Sequence, residues 1–154
     1  MQASAQKNLG TVLFVDDEEF ILNLMQDFLA DAPFEVLTSR NPLTALKLIN
    51  DVSIDMVISD YNMPEMDGLE FLRNVRKKNP GIRRVISTGF MDTVKALRTI
   101  DDGTIANLYQ KPWNFDVLEK EIRNSLTLVR MLRNRSFLEM VRSEERRVGK
   151  ECAT

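Results

Sequence analysis

The 154-residue chain contains no histidine and one cysteine, and both shortages exclude classes of function. Without histidine, the polypeptide can offer no histidine-based acid–base catalysis, no histidine metal ligand and no phosphohistidine of its own. The single cysteine, Cys152, can form no internal disulfide, so a reducing, cytoplasmic compartment is expected. No apolar run approaches the roughly 18 residues of a membrane span, and the polar N-terminus lacks the pattern of a signal peptide.

The chain also lacks a strong excess of either charge. Its 21 basic and 23 acidic residues give a net charge of −2, which provides no chain-wide argument for nucleic acid or an anionic membrane. Between Arg130 and Lys150, basic residues outnumber acidic ones by seven to three, a bias that could indicate nucleic acid or an acidic partner. We favour a solvated amphipathic helix, and we expect neither direct nucleic-acid binding nor membrane association.

Five short apolar runs predict β-strands. They are Thr11–Val15, Phe34–Thr38, Asp55–Ser59, Arg84–Ser87 and Ile105–Tyr109. The first, third and fourth are apolar on successive residues, which is typical of parallel strands covered on both faces. Segments with helical spacing separate the strands. The alternation predicts right-handed βαβ units and an open parallel sheet between two layers of helices.

Five helices are predicted around this sheet. The first, from Glu18 to Ala30, carries an apolar stripe that consists of Phe20, Ile21, Leu24, Met25, Phe28 and Leu29. The remaining helices are predicted after Asn41-Pro42, from Asp67 or Gly68 to Asn79-Pro80-Gly81, from Met91 to Ile100, and from Asn114 to about Arg142. The fifth helix is longer than a domain of this size needs.

Charged or hydroxyl side chains lie at the carboxyl ends of four of the five predicted strands. In strand order they are Asp16 and Asp17, then Asp60, then Thr88, then Lys111. Because ligands of open α/β sheets bind outside the carboxyl ends of the strands, we expect these side chains to meet. Three close carboxylates favour a divalent cation, and oxygen ligands suit Mg²⁺. A carboxylate held there could form an acyl phosphate whose oxygens contact a lysine and a hydroxyl.

Each of these side chains also has a plain structural interpretation. The acidic pair could favour a helix N-terminus, the threonine could cap a loop and the lysine could be a solvated charge. The four positions together favour a functional site, because structural roles alone would not bring all of them to one sheet edge.

At these residues the sequence resembles the CheY-like receiver domains of bacterial two-component response regulators. The matching segments are VLFVDDEE (12–19), VISDYNMPEMDGLEFL (57–72), VISTGF (85–90) and YQKPW (109–113). The resemblance covers about residues 10–128. It implies an α/β fold, namely a flavodoxin-like, doubly wound, five-stranded parallel sheet of order 2-1-3-4-5, here with an extended C-terminal helix.

The resemblance also implies roles for individual residues. Asp60 would be phosphorylated, Asp17 would bind Mg²⁺ directly, Asp16 would bind it mainly through water, and Asn62 would contribute its backbone carbonyl. Thr88 would be the switch hydroxyl and Lys111 would pair with the phosphoryl group. Loop-shaping roles would fall to a further set of residues, namely Pro64, Gly68, Gly89 and Pro112.

Two of the loop residues carry a specific expectation. Pro112 would follow a cis peptide bond that aims the lysine, and Gly89 would leave space beside the phosphoryl group. One position departs from the family pattern: the residue three before the lysine is usually aromatic, and here it is Leu108. Either Tyr109 replaces the aromatic switch, or the signal passes through backbone shifts.

The resemblance suggests how the chain is organised and what it meets. We expect a receiver domain at 10–128, a helical extension or linker at 129–142, and a tail at 143–154 that breaks at Gly149 and is not native sequence. A partner histidine kinase or phosphotransfer protein would donate the phosphoryl group, and a downstream output protein or domain would receive the signal. Two copies of the chain could also pair as a homodimer through the fourth or the extended fifth helix.

Two other classes of function remain open from the residues alone. A Mg²⁺-dependent phosphatase also uses an aspartyl nucleophile on an α/β sheet, but it usually carries its nucleophile and acid two residues apart after the first strand. A pseudo-receiver would act only as a binding surface, which the complete acidic set disfavours. The main hypothesis is a phosphoacceptor that catalyses its own phosphorylation and slow dephosphorylation without being an ordinary turnover enzyme.

Overall fold

Five parallel strands form one sheet in the order β2-β1-β3-β4-β5. The computed structural model describes residues 6–89 and 102–152. The strands are β1 (Thr11–Val15), β2 (Glu35–Ser39), β3 (Met56–Asp60), β4 (Arg83–Thr88) and β5 (Asn107–Gln110). The helices are α1 (Glu19–Phe28), α2 (Pro42–Asp51), α3 (Gly68–Lys78) and a C-terminal helix (Phe115–Cys152).

The strand order confirms the predicted flavodoxin-like α/β fold. All five predicted strands are present; the first has the predicted ends, and the ends of the others differ from the prediction by one or two residues. Helix α2 begins as predicted, with Asn41 accepting from the backbone N–H groups of Leu43 and Thr44 and Pro42 in the first turn. Asp67 caps α3 in the same way through Glu70. The predicted helix from Met91 to Ile100 lies outside the described residues.

The sheet separates two apolar cores. Val12 and Phe14 of β1 face α1 and the C-terminal helix, whereas Leu13 and Val15 face α2 and α3. Successive strand residues point to opposite faces, so a strand covered on both faces must be apolar at every position. This requirement explains the unbroken apolar runs that predict the strands.

The predicted stripe on α1 was wrong for two phenylalanines. Leu22 and Met25 are the buried residues of the helix, whereas Phe20 is 74% exposed and Phe28 is 52% exposed. A helix lying on a sheet buries only one side, and α1 carries more apolar residues than that side can hold. Phe28 instead stacks on Phe115 of the C-terminal helix, with ring centroids 4.1 Å apart.

The C-terminal helix runs to Cys152, beyond the predicted end near Arg142, so the expected break at Gly149 was also wrong. No proline follows Phe115, and a glycine within a helix costs only about 1 kcal/mol relative to alanine. The buried contacts of the helix end at Val129, because the described side chains at 130–135 and 139–147 are exposed. Within the described residues, no helix combines the length and hydropathy required to cross a bilayer.

Candidate functional site

The strand register brings the predicted acidic residues to one edge of the sheet. Val15 of β1 lies opposite Ser59 of β3, so the residues that follow, Asp16 and Asp60, are neighbours. Carboxylate oxygens of Asp16, Asp17 and Asp60 all lie within 4.8 Å of one another. The parallel arrangement thus concentrates three acidic groups at the carboxyl ends of β1 and β3.

Lys111 reaches into this acidic cluster from the end of β5. Its Nζ donates to Asp60 Oδ1 at 3.0 Å and to Asp16 Oδ2 at 3.2 Å. Burial lowers the pKa of Lys111, but Asp16 and Asp60 outweigh that effect and raise it above its usual value. Lys111 is therefore an ammonium group at neutral pH and bridges two of the three carboxylates.

The two residues of the acidic pair differ in their surroundings. Asp16 is 4% exposed, and both of its oxygens are engaged, since Oδ1 accepts from the Glu18 N–H at 2.9 Å and Oδ2 accepts from Lys111. Asp17 is more exposed, and no hydrogen bond from another described residue reaches its carboxylate. Asp17 is thus the carboxylate of the pair with free coordination capacity.

Asp60 carries the electrostatic strain of the cluster. Burial raises its pKa, repulsion from Asp16 raises it further, and Lys111 lowers it only in part. Its side chain is 13% exposed, which leaves one end open at the sheet edge. A cation or a phosphoryl group at this position would find a carboxylate that is destabilised in its bare, charged form.

Thr88 ends β4, the strand beside β3, and its side chain forms no hydrogen bond with Asp60. The side chain is fully buried, and its hydroxyl donates to the Gly89 carbonyl at 3.1 Å. The Lys111 N–H donates to the Thr88 carbonyl at 2.9 Å, which connects the loops after β4 and β5. A Cβ on Gly89 would meet no described atom within 4 Å, so no described neighbour requires a glycine at this position.

The loop after β3 is shaped by Gly68 more strictly than the sequence indicated. A Cβ at Gly68 would overlap the carbonyl oxygen of Asp60 and approach Ile86 Cδ1 to 2.6 Å. The Gly68 N–H also donates to the Tyr61 carbonyl at 2.8 Å. Pro64 and Asn62 lie in the exposed part of the same loop. Glycine is thus needed for close approach to the backbone of Asp60.

The Lys111-Pro112 peptide bond is cis, as the family pattern implies. Just after it, Trp113 packs against the core under α1 and lies 5.4 Å from Lys111 Nζ, a cation–π distance. Neither the family pattern nor the helical periodicity predicted this contact with the lysine. An aromatic residue two positions after a lysine in a tight proline turn was the available signal.

The two residues considered for the aromatic switch face opposite sides of the sheet. Leu108 packs against the core of α2 and α3, whereas Tyr109 is 6% exposed in the core under α1 and the C-terminal helix. Burial raises the pKa of Tyr109. This placement favours a packing role for Tyr109. It weighs against Tyr109 taking the role of the aromatic residue that the family usually has at position 108.

Comparison with known proteins identifies the family to which this α/β domain belongs. The profile of the response regulator receiver domain matches residues 12–123. The chemotaxis protein CheY of Listeria monocytogenes is 33% identical over 110 residues, which cover 70% of this chain and 92% of that protein. The chain belongs to the response regulator receiver domain family. It is a phosphoacceptor domain of two-component signal transduction and not a classical turnover enzyme.

Solved structures and longer regulators extend this similarity. A response regulator receiver domain protein from Clostridium thermocellum aligns with a TM-score of 0.74 and 30% identity, covering 80% of this chain and 98% of that one. The transcriptional regulatory protein ZraR of Klebsiella oxytoca is 30% identical over 120 residues, which cover 78% of this chain but 27% of that protein. The chain spans about a quarter of the length of the transcriptional regulators it matches.

Proposed function

We propose that Asp60 is the residue that accepts the phosphoryl group. The observation that carries this proposal is the position of Asp60 Oδ1, which lies 3.0 Å from Lys111 Nζ beside two further carboxylates. An Asp60 oxygen attacks the phosphorus of the donor, and the bond from phosphorus to the donor nitrogen or oxygen breaks as the acyl phosphate forms. The electron pair remains on the leaving atom; a leaving nitrogen takes a proton from water, and a leaving carboxylate stays ionised.

The residues of the cluster fit a Mg²⁺ ion. Three carboxylates within 4.8 Å of one another supply the oxygen ligands that this cation prefers. Asp17 would bind it directly, Asp16 mainly through water, since both Asp16 oxygens are already engaged, and Asp60 and the Asn62 carbonyl would complete the protein ligands. When bound, the ion supplies positive charge that offsets the carboxylates and the phosphoryl oxygens.

Lys111 and Thr88 would hold the phosphoryl group after transfer. Lys111 already contacts the acceptor oxygen, so it would exchange part of that contact for a phosphoryl oxygen. Thr88 would turn its hydroxyl from the Gly89 carbonyl towards the phosphoryl group, which would alter the loop after β4. In this scheme Gly68 keeps the loop after β3 close to Asp60, and Pro64 and Pro112 shape the neighbouring turns.

The partners follow from the chemistry of the domain. A histidine kinase or phosphotransfer protein would supply the phosphohistidine, because this chain has no histidine. An output protein or domain would read the phosphorylated state, and slow hydrolysis of the acyl phosphate would end the signal. Pairing of two copies through the C-terminal helix and a cytoplasmic location stay predictions from the sequence.

Incubation of the purified chain with acetyl phosphate and Mg²⁺ tests the assignment. The expected result is one phosphoryl adduct, located at Asp60 by mass spectrometry after borohydride trapping and lost when EDTA is added first. Asp60→Ala should remain unmodified. Asp27→Asn, which removes an exposed carboxylate of α1, should be modified like the wild type.

Two results would contradict the proposal. One is equal modification of Asp60→Ala, and the other is no adduct at all in a folded wild-type protein. Multiple turnovers of a simple phosphate ester would instead favour the phosphatase class. Asp17→Asn separates the metal from the acceptor, because it should weaken Mg²⁺ binding and slow adduct formation while the adduct still forms at Asp60.

A further inference from the structure

A hollow lies at the end of the sheet opposite Asp60. Its volume is about 500 Å³, and it lies between the segment Pro80–Arg84, Ala106 before β5, and the C-terminal helix at Val129–Arg133. Arg83, Arg84 and Arg133 supply the cationic part of the wall, and Pro80, Ala106 and Leu132 supply an exposed apolar part. A cavity of this size matches small organic ligands, which typically occupy roughly 300–1,000 Å³.

Two of the three arginines have no acidic partner among the described residues. Neither Arg83 nor Arg84 forms an ion pair with another described residue, and burial, together with nearby Arg76, lowers the pKa of Arg84. By contrast, Arg133 is already paired with Asp55, through Nη1 to Oδ1 at 2.6 Å. The wall therefore carries positive charge that no ion pair with a described residue offsets.

Arg83 and Arg84 differ in the number of N–H groups that remain available to a ligand. Four hydrogen bonds tie the Arg84 guanidinium to backbone carbonyls of Pro80, Ile82, Gly103 and Thr104. Because an arginine has five N–H groups, Arg84 is held rigidly and retains at most one donor for a ligand. The buried Nε of Arg83 has no hydrogen-bond partner among the described residues. Because that atom has almost no accessible surface, the Arg83 donors that can reach a ligand are its Nη groups, which form no hydrogen bond with a described residue, and Arg84 contributes fixed charge beside them.

We propose that this hollow binds a nucleoside monophosphate. Its phosphate would bond to Arg83 and lie in the field of Arg84, since arginine matches phosphate oxygens in a bidentate geometry. Its base and sugar would lie against Ala106 and Leu132, which otherwise leave apolar surface exposed. A bare inorganic anion would satisfy the charge but leave most of the volume and the apolar wall unused.

Neighbouring charge supports the attraction of an anion to this end of the molecule. A second depression, separated from the first by Pro80, is lined by Arg73, Arg76 and Lys77. Its acidic residue, Asp102, is already engaged by the N–H and hydroxyl of Thr104. The amino end of the sheet is therefore a positive surface that raises the local concentration of anionic ligands.

Binding there would act on the part of the chain that leaves the domain. Among the described side chains of the C-terminal helix, Val129 is the last that is buried, and Leu132 and Arg133 are already exposed. A ligand that touches both Arg83 of β4 and Leu132 of the helix would fix the helix at its exit from the sheet. A ligand at this site would thus act on the C-terminal helix independently of Asp60.

The test is titration of the full chain with AMP and GMP, followed by isothermal calorimetry and by amide chemical shifts. EDTA is present so that phosphate cannot be held at the acidic site by a metal ion. Inorganic phosphate and adenosine are titrated separately at the same ionic strength. We expect saturable binding of a nucleoside monophosphate, at least about tenfold weaker binding of phosphate or adenosine, and shifts at residues 80–84, 106 and 129–133.

Variants assign the site. Arg83→Gln should weaken nucleotide binding by roughly tenfold or more, since a hydrogen bond to a charged group is lost, and Leu132→Asp should weaken it by a similar factor. Arg142→Ala removes an exposed arginine of the same helix outside the hollow and should bind like the wild type. All three should still accept phosphate from acetyl phosphate, which shows that the variants are folded.

Three results would overturn the proposal. They are no saturable binding of either nucleotide by the wild type, binding of inorganic phosphate as tight as that of the nucleotides, and equal nucleotide affinity of Arg83→Gln and Arg142→Ala. An unphosphorylatable wild type that still binds nucleotide would contradict the assignment of Asp60 and leave this site intact, so the two proposals fail separately.

Discussion

At the scale of single residues, the surroundings of Asp60 destabilise its carboxylate, and this lowers the stability of the folded domain. Its pKa is raised because burial disfavours the carboxylate and Asp16 repels it, and Lys111 compensates only in part. An acid whose pKa is higher in the folded than in the unfolded state costs stability as pH rises through its unfolded value, and the full cost remains above its folded value. At neutral pH, therefore, the domain retains a carboxylate that destabilises it.

Asp60→Asn should remove this cost. Without Mg²⁺ at pH 7, the variant is expected to unfold at a higher temperature than the wild type, because the amide fills the same space without charge. The difference should shrink as pH falls through the ordinary aspartate range, since protonation then makes the wild-type side chain neutral as well. Thermal unfolding in EDTA between pH 3.5 and 7.5 measures it, with Asp27→Asn as the control. A wild type that is more stable than Asp60→Asn at pH 7 would show that the Lys111 pair dominates.

Gly68 provides a second prediction at this scale. Gly68→Ala would place a methyl group against the Asp60 carbonyl and Ile86, and forced contacts in a packed region cost about 1–3 kcal/mol. We expect a loss of stability in that range in urea unfolding, together with slower phosphorylation by acetyl phosphate, because the backbone of Asp60 must shift. Gly89→Ala is the matched control, since its methyl group meets no described atom within 4 Å. Equal stability of the two variants would contradict the contact argument.

The acidic residues and the lysine could be predicted from the sequence because parallel strands deliver the residues after them to one edge. The contacts that organise those residues could not be predicted. The Thr88 hydroxyl bonds to the adjacent loop and not towards Asp60, and Trp113 lies beside Lys111. Both depend on side-chain rotation and on the path of a loop, which strand and helix periodicity do not specify.

At the scale of secondary-structure elements, the C-terminal helix is tied to the amino end of the sheet. Arg133 pairs with Asp55, whose other oxygen accepts from the Thr11 N–H at 2.8 Å. One turn earlier, Arg130 donates to the Asn8 carbonyl at 3.3 Å. Asp55 immediately precedes β3, and β3 ends in Asp60, so one strand connects the proposed phosphorylation site to the contact that holds the helix.

Arg133→Gln should loosen the helix at this point. The pair is half exposed on the arginine side, so we expect a loss of about 1 kcal/mol or less in global stability. Hydrogen exchange of amides 130–140 should be faster, whereas that of β1 and β3 should be little changed. Arg135→Gln breaks a more exposed pair with Glu139 on the same helix and is the matched control. Equal exchange in both variants would indicate that Arg133 does not hold the helix.

Element boundaries were largely predictable, whereas the buried side of a helix was not. Unbroken β-branched runs indicate strands covered on both faces, and the caps at Asn41 and Asp67 indicate helix starts. Helix α1 is apolar around more of its circumference than the sheet can cover. Periodicity alone therefore could not decide that Leu22 is buried and Phe20 exposed, because that choice depends on the angle at which the helix lies on the sheet.

At the scale of the whole molecule, charge is separated between the two ends of the sheet. The acidic cluster lies at the carboxyl ends of the strands, and Arg83 and Arg84, which form no ion pair with another described residue, begin β4 at the opposite end. A net charge of −2 conceals this separation. The basic residues come from α3, β4 and the C-terminal helix, so the surface exists only after folding and could not be inferred from local sequence.

Folding should depend on the part of the C-terminal helix that contacts the sheet and not on the tail. Residues 143–147 are exposed, and the described ion pair of this stretch, between Arg147 and Glu144, lies within the helix itself. We therefore expect a chain that ends at Arg142 to match the full chain in urea unfolding to within about 0.5 kcal/mol, as is usual for exposed surface. It should also accept phosphate from acetyl phosphate at the same rate.

A chain that ends at Leu128 loses buried Val129, the Arg130 contact with Asn8 and the Arg133 pair with Asp55, and should be clearly less stable. If both truncations destabilise the domain equally, residues 143–152 contribute to the native structure, and the proposal that this tail is not native sequence is wrong.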